Sequence, residues 1–501
     1  MSHPGIHALE RPDAPALIRA SDGEVITWRQ LHSRAVAAAN CLIELGLHQG
    51  SALAICVENR FEFVVFVWAS QYAGFRYTPI STRLGPSEIA YIVSDCEAEV
   101  LVVSDQTIDS VGPAASEGGA PVLLNVDRLD LFGDELEVTP LYERAEGVPM
   151  LYSSGTTGRP KGVWNSAPPE PIEEMPQRIA FIGRLYQIDY ESVYLSPAPL
   201  YHSAPLSFLL WLGRLGGATV IMEKFDAAEA LALIAQHRVT HSQWVPTMFV
   251  RLLRLSAQER RAHDLSSHQF AIHGAAPCPV GVKEAMIDWW GPVIHEYYAG
   301  TEGAGTCMIG PEDWITHKGS VGKAVGGVIH IMSEDGRDQP RGEVGEIWFE
   351  GDASFEYYKD AERTASVRRQ GRATFGDLGY LDEDGFLYLT DRKAFTINVG
   401  GVNVYPREAE DALIMHPLVA DVAVFGIPHP EYGEEVKGVV ELLPGTAVYP
   451  GLDSELVEFC RSRLSGVKSP RSIDFEESLP RHPNGKLYKQ SLRDRYSEVV
   501  K

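Results

Sequence analysis

Residues 152–163 read YSSGTTGRPKGV, and the reading of this stretch decides the fold. Two serines, two threonines and three glycines crowd around Arg159 and Lys161. Glycines let backbone N–H groups approach oxygen atoms closely, the hydroxyls add donors, and the lysine adds charge. Such a loop suits a polyphosphate. It is not a Walker loop, because G-x-x-x-x-G-K is absent. Pro160 offers no N–H and biases Arg159 away from helix, so the strand–loop–helix frame of that loop is not expected. A loop that folds over phosphates and moves is the expected form. A solvated Ser/Thr/Gly linker is the bland alternative that composition by itself leaves standing.

The chain around this stretch, 501 residues long, exceeds one ordinary domain. A hydrophobic fraction of 45% is ordinary for a globular protein with a large core. A net charge of −24 favours solubility and argues against nucleic acid as a partner, while leaving room for a small anion in a local basic site. Cys41, Cys56, Cys96, Cys278, Cys307 and Cys460 are scattered, with no Cys-x-x-Cys pair, which fits a reducing compartment. The opening MSHPGIHALERPDAP carries charges and prolines where a signal peptide needs an apolar run. The most apolar windows, FVVFVWAS and LSFLLWLG, are too short to span a bilayer. A cytoplasmic chain without integral membrane contact is the expectation. The oligomeric state stays open, a homo-oligomer included.

Residues 27–110 alternate helical and strand patterns. WRQLHSRAVAAANCLIELGL has helical spacing, SALAIC and AEVLVVS read as buried strands, and FEFVVFVWASQYAG between them reads as helix. The alternation recurs in ATVIM, AAEALALIAQH, HSQWVP and TMFVRLLRL, and predicts an α/β fold with a covered, largely parallel sheet. Residues 111–121 and 167–177 read as loops, the second because four prolines in eleven residues forbid a helix interior. From about residue 342 the texture changes. GEVGEIWFEG alternates like a strand, and Asp384-Gly385 within GYLDEDGFLYL signals a hairpin. A helix from Pro406, strands DVAVFGI and VKGVVEL, and a helix near 453–465 make 393–501 a small α+β domain behind a large one spanning 1–392.

The opening stretch resembles the signature loop of the adenylate-forming enzymes, which include acyl-CoA synthetases, luciferases and peptide-synthetase adenylation domains. Their pattern is an aromatic residue, then T/S-S-G-S/T-T-G-x-P-K-G. Further matches follow in the family's order: PLYHSAP (199–205), HGAAPCP (273–279), YYAGTEG (297–303), FGDLGYLDEDGFLYLTDRK (375–393), GGVNVYPREAE (400–410) and PNGKLYK (483–489). The resemblance implies a multi-subdomain N-terminal domain with mixed and parallel sheets, a small mobile C-terminal domain, and a hinge near 391–395. It also implies a two-step reaction. A carboxylic acid attacks the α-phosphorus of ATP and releases pyrophosphate; a thiol, here coenzyme A, then takes the acyl group. Both steps move negative charge about a phosphate, so positioning and electrostatics should dominate.

The resemblance assigns roles by position. Ser153, Ser154, Gly155, Thr156, Thr157, Gly158 and Lys161 would cradle the phosphates. Gly274, Ala275, Ala276 and Pro277 would border adenine, with Tyr297 beside them and Tyr298 stacking on the base. Thr301 would bond the α-phosphate, and Glu302 would hold Mg²⁺, which needs few carboxylate oxygens. Asp377 would accept the ribose hydroxyls, as an ionised carboxylate can, and Arg392 would donate nearby. Lys486 would touch the acyl carboxylate and the α-phosphate. His202 would border the acid, and Gly400 and Gly401 would line the thiol's entry. Read without the family, an Asn-Gly-Lys turn is usually solvated, Asp377 is a turn cap, and His202 is a core-edge histidine.

The sequence departs from the family pattern at Ala299, Phe375, Val402 and the hinge, where Asp391-Arg392-Lys393 is followed by Ala394-Phe395. Alanine changes φ/ψ without large cost, so rotation there stays open. Trp244 and Phe208 are candidates for the acid pocket, although aromatic residues in apolar runs are more often core. His237 and His241 are four apart, but no third ligand accompanies them, so a zinc site is not expected. The favoured expectation is an acid–thiol ligase making acyl-CoA from an apolar fatty, aromatic or sterol-type acid. The alternative is a stand-alone adenylation enzyme loading an amino or other acid onto a carrier protein. Such enzymes usually place an aspartate near the aromatic-His segment, and PLYHSAP has none.

Overall fold

The computed structural model describes residues 3–112, 121–129, 146–153, 160–165, 170–351, 354–481 and 487–498. The alternation read at the N-terminal end becomes a five-stranded sheet in the order Val122–Asn125, Val100–Val103, Ala52–Cys56, Arg76–Pro79 and Val148–Pro149, every pair parallel. Helix Trp28–Glu44 starts at a capping box, in which Thr27 Oγ1 accepts from the Gln30 N–H and the Gln30 side chain accepts from the Thr27 N–H. Helix Phe61–Ala73 is apolar nearly all round and every one of its residues is buried. Such a helix must be covered on all sides, and the core around it joins side chains from two sheets: Leu53, Ile55 and Val100 of the first, Leu17 and Ile221 of the second.

In the second sheet, strands Ala218–Ile221, Val193–Ser196, His241–Trp244, Phe270–His273 and Ile294–Ala299 are neighbours in that order, all parallel. Beyond Ile294–Ala299 the sheet turns antiparallel through Thr306–Ile309, Ser320–Ala324, Leu387–Arg392, Arg372–Leu381, Gly345–Glu350 and Val328–Met332. The expected hairpin around Asp384-Gly385 joins Arg372–Leu381 to Leu387–Arg392, with Gly385 at φ +82°. Residues 151–153 and 161–165 form antiparallel strands, and Phe355–Tyr357 adds a third. The signature stretch therefore leaves one strand and re-enters another, as Pro160 implied.

The segment after residue 392 forms its own five-stranded sheet, with Ile397–Val399, Val402–Val404, Val419–His429, Gly433–Leu442 and Ser472–Glu476. Its core draws on helices Pro406–Leu413 and Leu452–Arg461 and, among the described residues, on none before Ile397. The second helix ends short of the expected 465, because the Arg463 and Leu464 N–H groups both turn back to the Cys460 carbonyl. Among the described residues no helix is long and apolar enough to cross a membrane.

Candidate active site

Four neighbouring parallel strands end at the same edge, and three of them run into a stretch singled out in the sequence. Val193–Ser196 leads to His202, Phe270–His273 to Gly274–Pro277, and Ile294–Ala299 to Gly300, Thr301 and Glu302; His241–Trp244 lies between. Ligands of open parallel sheets bind at these carboxyl ends. His202 stands at the N-terminal boundary of helix Ser203–Leu215 without a side-chain capping bond, its ring 4.5 Å from that of Tyr201. Ala275 holds φ +67°, a left-handed conformation that a residue with a Cβ rarely adopts, so the loop after His273 is held in an uncommon shape. Gly274 faces the Tyr297 ring, where a Cβ would come within 2.5 Å.

The turn after Ile294–Ala299 closes with the Gly303 N–H bonded to the Gly300 carbonyl at 3.0 Å, which puts Thr301 and Glu302 at its tip. Glu302 Oε1 accepts from the Tyr357 hydroxyl at 3.0 Å. Tyr357 lies on the strand beside Lys161–Asn165, where it pairs with Val163, so the turn and the signature stretch share a support. Gly300 packs against Phe375, whose Cδ1 would lie 2.5 Å from an added Cβ. Phe375 in turn meets the Tyr298 ring edge-on at 5.7 Å. The Tyr298 hydroxyl donates to Asp377 Oδ2 at 2.7 Å, and Arg392 Nε lies 3.3 Å from Asp377 Oδ1. Asp377 and Arg392 face each other across their strand pair. Burial raises the Asp377 pKa above the ordinary carboxylate value, against the pull of Arg392 and of the Tyr298 hydroxyl. Each carboxylate oxygen accepts more than one bond, so Asp377 retains capacity for two hydroxyls of a sugar.

Ser153 pairs with Lys161 across the strands that bracket the signature loop. Lys161 opens onto a cleft of about 490 Å³, also lined by Tyr358, Lys359 and Asp360. Partial burial and the Arg363 guanidinium lower the Lys161 pKa, and Asp360 opposes them. Ser154, Gly155, Thr156, Thr157, Gly158 and Lys486 lie outside the described residues. The flanks of Lys486 are tied to each other and to helix Pro406–Leu413: Arg481 bridges to Leu487, the Tyr488 N–H bonds the Pro480 carbonyl at 2.8 Å, and Lys489 pairs with Glu410 at 2.7 Å. Gly400 and Gly401 occupy the tip of a tight hairpin with φ of +60° and +85°, a pair of values that glycine supplies without strain. The Gly400 N–H bonds the Tyr432 carbonyl, and the Gly401 N–H bonds Asn398 Oδ1.

Tyr357 and the buried pair Lys283–Glu296 were not singled out in the sequence. Lys283 Nζ lies 2.6 Å from Glu296 Oε2, tying the helix after the Gly274 loop to the strand that carries Tyr297 and Tyr298. The signal for Tyr357 was its place in a strand-like FEYY run, which no local pattern connects to Glu302, 55 residues away. Trp244 points away from Tyr297 and packs with Phe249 and Trp290, whereas Phe208 lies on the Tyr297 side, 6.5 Å from that ring. His241 is buried with Nε2 against the Tyr186 carbonyl, and no group of three or more His, Cys, Asp or Glu side chains suited to a metal ion occurs among the described residues. A Mg²⁺ ion that arrives on substrate phosphates needs one or two protein carboxylates plus water, and the Glu302 carboxylate, held from one side by Tyr357, fits that demand.

The family model described as AMP-binding enzyme matches residues 6–359, and that of the AMP-binding enzyme C-terminal domain matches residues 408–486. The chain is 30% identical over 509 residues to the long-chain-fatty-acid–CoA ligase FadD13 of Mycobacterium tuberculosis, covering 98% of this chain and 97% of that protein. It is 31% identical over 489 residues to feruloyl-CoA synthase of Amycolatopsis sp., covering 95% and 94%. Among solved structures, o-succinylbenzoate CoA synthetase from Bacillus subtilis, in complex with its acyl-adenylate intermediate, matches with a TM-score of 0.83 at 26% identity, covering 99% and 98%. The chain belongs to the AMP-binding enzyme family, the acyl-CoA synthetases of the adenylate-forming superfamily.

Proposed function

We propose that this chain activates a largely apolar carboxylic acid with ATP and transfers the acyl group to coenzyme A. The observation that carries the reading is the run of contacts from the signature strands through Tyr357 to Glu302, and from Gly300 through Phe375 and Tyr298 to Asp377 and Arg392. It supports a nucleotide lying with its phosphates toward Lys161 and Thr301 and its ribose on Asp377. The loop 274–277, with its strained Ala275, would border the base.

The acid's carboxylate would meet the α-phosphorus near Thr301, with His202 beside it. One oxygen–phosphorus bond forms, the bond to pyrophosphate breaks, and charge builds on the phosphate oxygens. Thr301 would donate to those oxygens, and Lys486 and Lys161 would neutralise them. Mg²⁺ held by Glu302 would offset the charge of the departing phosphates. Coenzyme A sulfur then attacks the acyl carbon and AMP leaves. We take residues 1–392 and 393–501 as the two domains, with the hinge at 391–395 and Gly400–Gly401 facing the thiol's path. In support, Arg407 brackets the hinge by donating to the Leu389 carbonyl and to Asp391.

The test is AMP release by the purified chain with ATP, Mg²⁺, coenzyme A and a panel of fatty and aromatic acids. Lys486→Ala should lower acid-dependent ATP–pyrophosphate exchange by roughly 10²–10³ while leaving transfer from supplied acyl-AMP to coenzyme A nearly intact. Undiminished exchange in that variant would overturn the assignment of Lys486. Exchange stimulated by amino acids alone would overturn the acid class.

A further inference from the structure

One face of the parallel sheet, just below the candidate acid site, carries polar groups that make no hydrogen bond among the described residues. Strands Val193–Ser196, His241–Trp244 and Ile294–Ala299 turn Tyr194, Ser196, Gln243 and Tyr297 to the same side, under Phe208. The Tyr194 hydroxyl, Ser196 Oγ, Gln243 Oε1 and the Tyr297 hydroxyl are buried without a hydrogen-bond partner among the described residues. Tyr194 and Ser196 are 0% exposed and Gln243 is 1% exposed. Ser196 lies beside the Tyr194 phenol and Gln243 beside that of Tyr297, but neither reaches hydrogen-bond geometry, and burial holds both phenols well above the ordinary tyrosine value against the small opposing pull of these neighbours. Gln243 Nε2 donates to the Trp244 carbonyl at 2.9 Å. A carbonyl only accepts, so this bond orients the amide and leaves Oε1 as a pure acceptor turned into the patch.

Native interiors pair nearly all of their buried polar groups. A patch of unpaired ones beside a substrate site calls for a partner that arrives with the substrate. We infer that the acid this enzyme takes carries a hydroxyl group remote from its carboxylate, and that this hydroxyl enters the patch. It donates to Gln243 Oε1 and accepts from the hydroxyl of Tyr297 or Ser196. An oxo group has no hydrogen to give Gln243, and a plain alkyl chain or unsubstituted ring leaves every one of these atoms unpaired. The inference rests on the acid–thiol ligase reading above.

The test compares matched acids on the intact chain: 4-hydroxycinnamate against cinnamate, and 12-hydroxydodecanoate against dodecanoate, by coenzyme A-dependent AMP release. In at least one pair the hydroxylated acid should have the higher kcat/KM by roughly 10² or more, since a site built to bond a hydroxyl rejects the analogue that lacks it. The responding pair tells a phenol from an alcohol. Gln243→Leu should narrow that ratio, and the substrate comparison on the unaltered chain stands even if this variant folds poorly. Ratios within about threefold in both pairs would overturn the inference and leave the ligase reading intact, the patch then being satisfied by bound water. No pyrophosphate exchange with any acid would remove both.

Discussion

Asp377→Asn separates a ribose acceptor from a turn cap. In the structure Asp377 accepts from the Tyr298 hydroxyl at 2.7 Å and faces Arg392 Nε at 3.3 Å. The amide can still accept from Tyr298, but it turns N–H donors toward a guanidinium or toward the sugar. A hydrogen bond to a charged acceptor contributes about 1.5–3 kcal/mol. Losing that much from nucleotide binding raises the KM for ATP roughly 10- to 150-fold. Stability should move the other way. Burial raises the Asp377 pKa, so the folded chain holds this proton more tightly than the unfolded chain. The cost of ionising it is complete above the folded pKa and absent below the unfolded value of about 3.9. The variant should therefore match or exceed the parent's Tm at neutral pH and lose that advantage in acid. The assays are steady-state AMP release against ATP concentration and thermal unfolding across pH. An unchanged KM with a Tm lowered by several degrees would refute the ribose reading and restore the cap.

Two further outcomes follow from buried charge. Lys283 and Glu296 form a pair 2.6 Å apart with almost no exposure, so Glu296→Gln or Lys283→Met alone should cost about 3–5 kcal/mol in urea unfolding, because the remaining charge is stranded. Replacing both by methionine should recover most of that loss. His268 is buried against Ser242 Oγ, and burial lowers its pKa to about 3. The unfolded chain takes up this proton near pH 6.5 and the folded chain does not, so stability should fall by about 1.4 kcal/mol per pH unit from 6.5 toward 3. His268→Gln should flatten that part of the stability–pH curve; an unchanged slope would assign acid sensitivity elsewhere.

Much of the local structure was legible. Helix Phe61–Ala73 ends at Gly74 as its pattern required, and the Asp384-Gly385 hairpin lies where the turn residues put it. The candidate site was legible as residue types at family spacings, and Glu302, Asp377 and Arg392 lie along a continuous run of contacts. Which aromatic residue faces that site was not legible. Trp244 and Phe208 read alike in sequence, but Trp244 sits one strand position from Gln243, and successive side chains in a strand point to opposite faces.

By itself the sequence determined which segments are helices and strands and roughly where they lie, because spacing, caps and turn residues act within a few positions. It also determined the chemical kinds available, namely a Ser/Thr/Gly stretch with a lysine, a lone glutamate, and an aspartate and an arginine at family spacing. Tertiary structure alone decided the pairings of Tyr357 with Glu302 and of Tyr298 with Asp377, separated by 55 and 79 residues. It also decided that four polar groups share one buried face. Those contacts depend on the order of strands in the sheet, and strand order is set by how whole layers pack, which no local periodicity encodes.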